Sequence, residues 1–182
     1  MPKKKEDAMK QLVVYFSKTG GTYMAGRIVD VTQGNTDKVA KMIAEDTGAD
    51  LFQLEPEQPY PDDYNACTEI AAQEQKRNAR PALKALPNID DYDVIWLGYP
   101  CWWGTYPQVV QTLLDGVDFS GKTIFPFCTN EGSGMGSSMS DLKRSCPNAT
   151  IGEGLPLTGN RVDQSGDQVK AWTESQLASV VS

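Results

Sequence analysis

The sequence predicts an α/β fold built on one doubly wound, parallel sheet of five strands. Two observations predict it. Short apolar runs alternate with amphipathic stretches along the whole chain, the pattern of strands joined by helical crossovers. The runs at 12–16 and 123–128 are nearly continuous in apolar character, as strands buried on both faces should be. With 182 residues, 40% of them hydrophobic, and no internal repeat, the chain is long enough for a single domain with a sizeable core.

The first strand, 12–16, reads Leu-Val-Val-Tyr-Phe. A helix follows from Asn35 or Thr36, either of which can cap it, to about Thr47. Val39, Met42 and Ile43 share its core face, and Gly48 stands at the stop position. A shorter second strand spans 50–54. The helix over 62–78 carries Ala66, Ile70 and Ala71 on one face, and Pro81 and Pro87 break the loop after it. The third strand, 93–98, leads to a helix over 107–114 that opens with proline. The fourth strand, 123–128, leads to a short helix over 138–144. The fifth is 149–151, 155–158 or a bulged combination of both. The last helix, 166–180, places Val169, Trp172, Gln176 and Leu177 near one stripe. In such a sheet ligands bind at the carboxyl ends of the strands, where the strand order reverses. Function is therefore expected in the loops after strands one, three and four.

Composition removes many alternatives. A net charge of −7 and a pI near 4.6 disfavour nucleic acid and anionic membrane surfaces and suit basic partners. No apolar run approaches about 18 residues. Residues 1–10 are charged and lack an apolar segment, so a disordered, solvated start is expected rather than a secretory signal, with 11–182 as the domain. Cys67, Cys101, Cys128 and Cys146 form no C-x-x-C and match no zinc or iron–sulfur spacing. Reduced thiols in a cytoplasmic protein, and no metal site, are expected. There is no histidine, which removes the commonest general base and both the Ser-His-Asp and Cys-His nucleophile systems. The sixth residues after the cysteines are Gln73, Pro107, Gly134 and Gly152, so no phosphatase C-x5-R loop exists. Residues 21–26 have P-loop spacing, but Arg27 and Ile28 follow. Phe16, Ser17, Gly98 and Tyr99 stand where a receiver domain needs carboxylates.

The three loops carry the chemistry. After strand one come Ser17, Lys18, Thr19 and Gly20, and then, beyond an interruption at 21–33, Gly34, Asn35 and Thr36 at a helix start. Hydroxyls, glycines and a helix N-terminus together suit a phosphate. Plain N-capping by Asn35 and Thr36 accounts equally well for the second half alone. After strand three, Tyr99, Pro100, Cys101, Trp102, Trp103 and Gly104 put an aromatic wall at the mouth of the sheet, suited to stacking on a planar ring. After strand four, Thr129, Asn130, Glu131, Gly132, Ser133 and Gly134 offer backbone donors to the polar edge of a heterocycle.

These residues resemble the flavodoxin family over nearly the whole chain, from about Leu12 to Leu177. The first loop is similar to its Thr/Ser-x-Thr-Gly-Asn-Thr motif, divided here in two. The second resembles the Pro-x-Trp-Trp-Gly loop of one branch, and the third that branch's Gly-Gly-Ser-Gly loop, with Asn130 and Glu131 in place of a small pair. The resemblance implies a flavodoxin-like three-layer α/β/α fold with strand order 2-1-3-4-5, and FMN as cofactor. It implies that Ser17, Thr19, Asn35 and Thr36 bind the FMN phosphate. Pro100, Trp102, Trp103 and Gly104 then line the isoalloxazine, and Thr129, Glu131, Gly132 and Gly134 approach its pyrimidine edge. Segment 21–33 includes an alternating, strand-like stretch over 27–32, preceded by Gly26, and is expected to form a hairpin or flap that leaves the helix start in place. Cys101 replaces a more usual aliphatic residue and is expected to be inert. Electron transfer needs no side-chain acid or base, in keeping with the absent histidine. The expected partners are redox proteins, or NAD(P)H with a small acceptor such as a quinone; the other alternative is an interaction module without FMN.

Overall fold

The computed structural model describes residues 9–181. The expected disordered start lies outside the described residues except for Met9 and Lys10; Met9 packs against the core and the Lys10 carbonyl accepts from the Asp93 N–H. The elements are β1 (Gln11–Tyr15), β2 (Gly20–Met24), β3 (Arg27–Val31), α1 (Asn35–Thr47), β4 (Asp50–Gln53), α2 (Tyr64–Lys76) and β5 (Val94–Pro100). There follow α3 (Gln108–Gly116), β6 (Thr123–Asn130), α4 (Ser138–Ser145), β7 (Thr150–Ile151), β8 (Leu155–Thr158) and α5 (Gly166–Val181). The main sheet is parallel, in the order β4-β1-β5-β6-β7, and β8 also pairs with β6. This is the order expected from the resemblance once the hairpin strands are set aside.

Side chains alternate across the central strands into two cores. Leu12, Val14, Ile95, Leu97 and Ile124 face one side with Val109, Leu113 and Leu142 of α3 and α4. Val13, Tyr15, Trp96, Phe125 and Phe127 face the other with Val39, Ile43, Val169 and Trp172 of α1 and α5. Trp96 is fully buried, packs on Phe125 and Trp172, and donates its indole N–H to Gln11 Oε1 at 2.8 Å. Gly98 has no room for a side chain, because a Cβ there would lie 2.1 Å from the Phe127 ring. Among the described residues no helix is long and apolar enough to cross a membrane.

The fifth strand is the bulged combination. Ile124 pairs with Ile151 but Phe127 pairs with Leu155, so three steps along β6 match four along its neighbour. One extra residue is accommodated at 152–154. The insert is a hairpin: β2 and β3 pair antiparallel as a sheet of their own. Ala25 and Gly26 form its turn with φ of 52° and 83°, the consecutive positive values of a tight mirror-image hairpin turn.

The start of α1 departs from expectation. Neither Asn35 nor Thr36 caps it; Gly34 is the N-cap residue and makes no side-chain cap bond. Ser17, across the gap left by the insert, accepts from the Asp37 N–H at 3.0 Å instead. Asp37 is further fixed by Tyr15 Oη at 2.5 Å, Gln33 Nε2 at 2.8 Å and Lys41 Nζ at 3.0 Å. Burial works against its charge, but the bonds from Tyr15, Gln33 and Lys41 outweigh it and hold the carboxyl below the usual range. Burial, then the bond to Asp37, pushes the Tyr15 hydroxyl up. Because the folded-state value is depressed, this stabilisation is present at neutral pH and is lost as pH falls through that value. Asp37→Asn should therefore cost about 1–2 kcal/mol at pH 7, and denaturant titrations of the two proteins should begin to converge only below about pH 4, as the pH falls toward the depressed Asp37 value.

Candidate functional site

A cavity of about 330 Å³ lies at the carboxyl ends of β1, β5 and β6. Its first wall is the seam between β1 and α1. Ser17, Lys18, Asn35 and Thr36 line it. Gly34 closes the seam: a Cβ there would stand 2.1 Å from Ser17 Oγ and 2.6 Å from the Lys18 carbonyl, so only glycine lets the two halves meet. The Ser17 oxygen accepts from Asp37, which leaves its own proton to donate. Thr36 and Thr129 share a hydrogen bond of 2.8 Å between buried hydroxyls, tying α1 to the end of β6. The Lys18 ammonium folds over the Thr19 carbonyl at 2.8 Å. Thr19 itself does not line the cavity, because the chain turns there into the hairpin.

The second wall is aromatic. Trp102 is half-buried against Phe16 and Tyr60, with ring centroids 5.4 and 5.0 Å away in edge-on geometry. Trp103 is 58% exposed. It adopts φ 52° and Gly104 φ 83°, a strained conformation for a bulky residue. Trp102 and Thr105 close this turn with reciprocal backbone bonds. The Trp103 indole N–H donates to the Thr68 carbonyl at 3.0 Å, and Gln75 Nε2 donates to the Trp103 carbonyl. The exposed ring is thus fastened to α2 rather than free. Pro100 lines the cavity; Gly104 does not, and its carbonyl accepts from the Ser137 N–H at 2.7 Å.

The third wall is the end of β6. Thr129, Asn130, Glu131 and Ser133 line it, whereas Gly132 and Gly134 do not. Their N–H groups turn inward to Asn130 Oδ1, at 2.9 and 3.2 Å. Asn130 thus takes the donors that sequence reasoning offered to a ligand. Glu131 accepts from the Ala25 N–H at 2.7 Å and from the Gly159 N–H at 3.0 Å.

The structure thus brings Ser17, Asn35, Thr36, Pro100, Trp102, Trp103, Thr129 and Glu131 around one cavity and leaves Thr19, Gly104, Gly132 and Gly134 off its lining. It adds residues that sequence reasoning missed: Thr22 and Tyr23 on β2, Tyr64, Cys67 and Thr68 on α2, and Gly159. Tyr23 and Tyr64 had a signal, being aromatic residues in polar segments; Cys67 and Gly159 had none.

Cys101 lines the cavity, and its N–H donates to the Thr129 carbonyl at 2.8 Å. The neighbouring Cys128 thiol, which donates to the Thr129 and Gly134 carbonyls, lowers the Cys101 thiol to about 6 against the opposing effect of burial, helped by Ser133 and the Gly104 N–H. Cys128 itself is pushed up by its nearness to Cys101 and by burial. Burial raises Cys67 to about 11, although Lys18 opposes it.

A family model described as flavodoxin matches residues 10–176. A parallel sheet with a ligand-sized cavity at its switch point defines a doubly wound binding protein, and the chain belongs to the flavodoxin family. A Bacteroides eggerthii structure, provisionally named a flavoprotein, is 32% identical with a TM-score of 0.69 over 88% of this chain and 98% of that one. One from Bacteroides uniformis, also provisionally named a flavoprotein, is 29% identical with a TM-score of 0.72 over 91% and 98%. A Lactobacillus acidophilus flavoprotein solved in complex with FMN is 21% identical with a TM-score of 0.63 over 86% and 98%, a likeness of fold. No curated protein matches the chain.

The Cys101 shift makes a direct prediction. Iodoacetamide should modify Cys101 with a rate that rises through about pH 6 and levels above it, while Cys67 reacts only toward about 11. Cys128→Ala removes the neighbouring thiol and should move the Cys101 midpoint up, whereas Cys128→Ser should largely keep it. Peptide mass spectrometry reads both sites.

Proposed function

We propose that this cavity binds FMN and that the chain transfers electrons through it, as a one-electron carrier or a small flavin oxidoreductase. The observation that carries the reading is that three loops far apart in sequence line one cavity of about 330 Å³. One of them brings hydroxyls and a lysine, one two tryptophans, and one polar groups from the end of a strand. For a member of the flavodoxin family the cofactor is FMN. Bound there, FMN supplies reversible one- and two-electron transfer.

The residues present fit the group. Ser17, Lys18, Asn35 and Thr36 would hold the phosphate with a hydroxyl proton, an ammonium and an amide beside the positive end of α1. Trp102, Trp103 and Tyr64 line the cavity and would pack against the ring. Thr129, Asn130 and Ser133 supply polar groups to its edge. Trp103 at 58% and Tyr23 at 43% exposure leave an aromatic rim open to a second molecule. That molecule is a redox protein, for which the net charge of −7 favours a basic face, or NAD(P)H with a small acceptor.

Purified protein mixed with FMN should take up flavin in a one-to-one ratio and absorb near ~450 nm, a property of the cofactor. Bound FMN should protect Cys101 from alkylation, which locates it. Trp102→Ala should weaken binding about tenfold. Thr36→Val should cost FMN more than riboflavin, because only FMN has the phosphate. A protein that stays colourless at saturating FMN sinks the proposal and leaves the interaction-module reading. Rapid bleaching on mixing with NADPH identifies the reductase; its absence favours the carrier.

A further inference from the structure

The β2–β3 hairpin forms part of the cavity wall through Thr22 and Tyr23, yet it shares no strand pairing with the main sheet. Its two ends are held differently. At the base, the Gly21 N–H donates to the Asp62 carbonyl at 2.7 Å, and a Cβ on Gly21 would lie 2.8 Å from that oxygen. Backbone is packed on backbone there. At the tip, a Cβ on Gly26 would meet nothing within 4 Å. The tip is held by the Glu131 carboxylate, whose two oxygens accept from the Ala25 N–H at 2.7 Å and the Gly159 N–H at 3.0 Å, with weaker support from Asn35 Nδ2 on Met24 Sδ at 3.1 Å and from the Tyr23 ring beside Tyr64. One side chain therefore joins the hairpin, the loop after β6 and the residue that follows β8.

We infer that Glu131 is a clip: it fastens the hairpin tip across the cavity, and its release is the step through which an occupant enters and leaves. The packed base acts as the hinge. Swinging the tip outward breaks no hydrogen bond of the main sheet, because the ribbon's strand pairs are internal. Hydrogen bonds from amides to a carboxylate are among the stronger ones. At a tip where Ala25 is exposed they compete with water, so the clip is firm enough to favour closure and weak enough to open. A direct role at the ring edge would use the lone pairs that the two backbone bonds leave on the carboxylate. The two roles differ in kinetics. A clip that is closed in both the free and the occupied protein changes the rates of entry and exit together and leaves affinity nearly unchanged. A ligand contact changes affinity, mainly through exit.

The identity of the occupant rests on the FMN reading; the clip does not. The test compares the unsubstituted chain with Glu131→Gln, which keeps one acceptor, and Glu131→Ala. Hydrogen exchange of residues 22–31 and of Gly159 is measured in the FMN-free proteins. FMN association and dissociation are followed by stopped-flow flavin fluorescence. The expected result is faster exchange in the hairpin and at Gly159, with both FMN rates raised about tenfold in the alanine variant and less in the glutamine variant. Unchanged hairpin exchange in both variants overturns the clip. Faster exchange with an unchanged association rate and lost affinity overturns the gate in favour of a ligand role. If the unsubstituted chain takes up no FMN, the proposed function fails, while the exchange measurement still decides the clip.

Discussion

The site depends on one close approach, that of Gly34 to Ser17 and Lys18. The chain leaves the cradle after Lys18 and returns at Gly34. The two edges meet only because no Cβ stands between them. That contact lets the Ser17 oxygen reach the Asp37 N–H and start α1 from outside the helix. It places the positive end of α1 beside β1 as though the intervening residues were absent. The bond between Thr36 and Thr129 then aligns α1 with the end of β6, and so with the third wall of the cavity. A side chain at position 34 would force apart the two halves on which the other walls are built.

The sheet was legible in the sequence because burial on both faces leaves runs that need no context to read. Its functional ends were less so. The third and fourth strands are expected to stop at Gly98 and Cys128, but β5 and β6 run on to Pro100 and Asn130. Those last residues are ordered by each other, through Pro100 opposite Thr129, and not by their own pattern. The same distinction runs through the site. Residues that line the cavity with their own side chains, such as Trp102 and Thr36, can be found from type and position. Thr19 and Gly132 follow the motif, but the hairpin carries one away and Asn130 captures the N–H of the other. Cys101 is set beside Cys128 by the pairing of β5 with β6, a neighbour no local reading supplies.

The cavity is therefore a joint product of regular and irregular backbone. Two tight turns with the same pair of positive φ values, at Ala25-Gly26 and Trp103-Gly104, shape its rim. One holds a hairpin over the side of the site; the other thrusts an indole out of the sheet and lets α2 catch it through Thr68. Bulky residues are costly in that conformation, so the position of Trp103 is set by the main chain and not by rotamer choice.

The extra residue in the fifth strand acts well beyond the sheet edge where it sits. It changes the phase of everything that follows it. With the pairing of β7 continued unbroken, Thr158 would stand opposite Glu131, and its Cβ would fall where one on Gly159 falls: 2.7 Å from Asn35 Nδ2 and 3.1 Å from a Glu131 oxygen. The slip delivers the residue without a side chain to the crowded place and leaves its N–H pointing at the carboxylate. A length change remote from the cavity is thus what makes the junction between the two loops sterically possible.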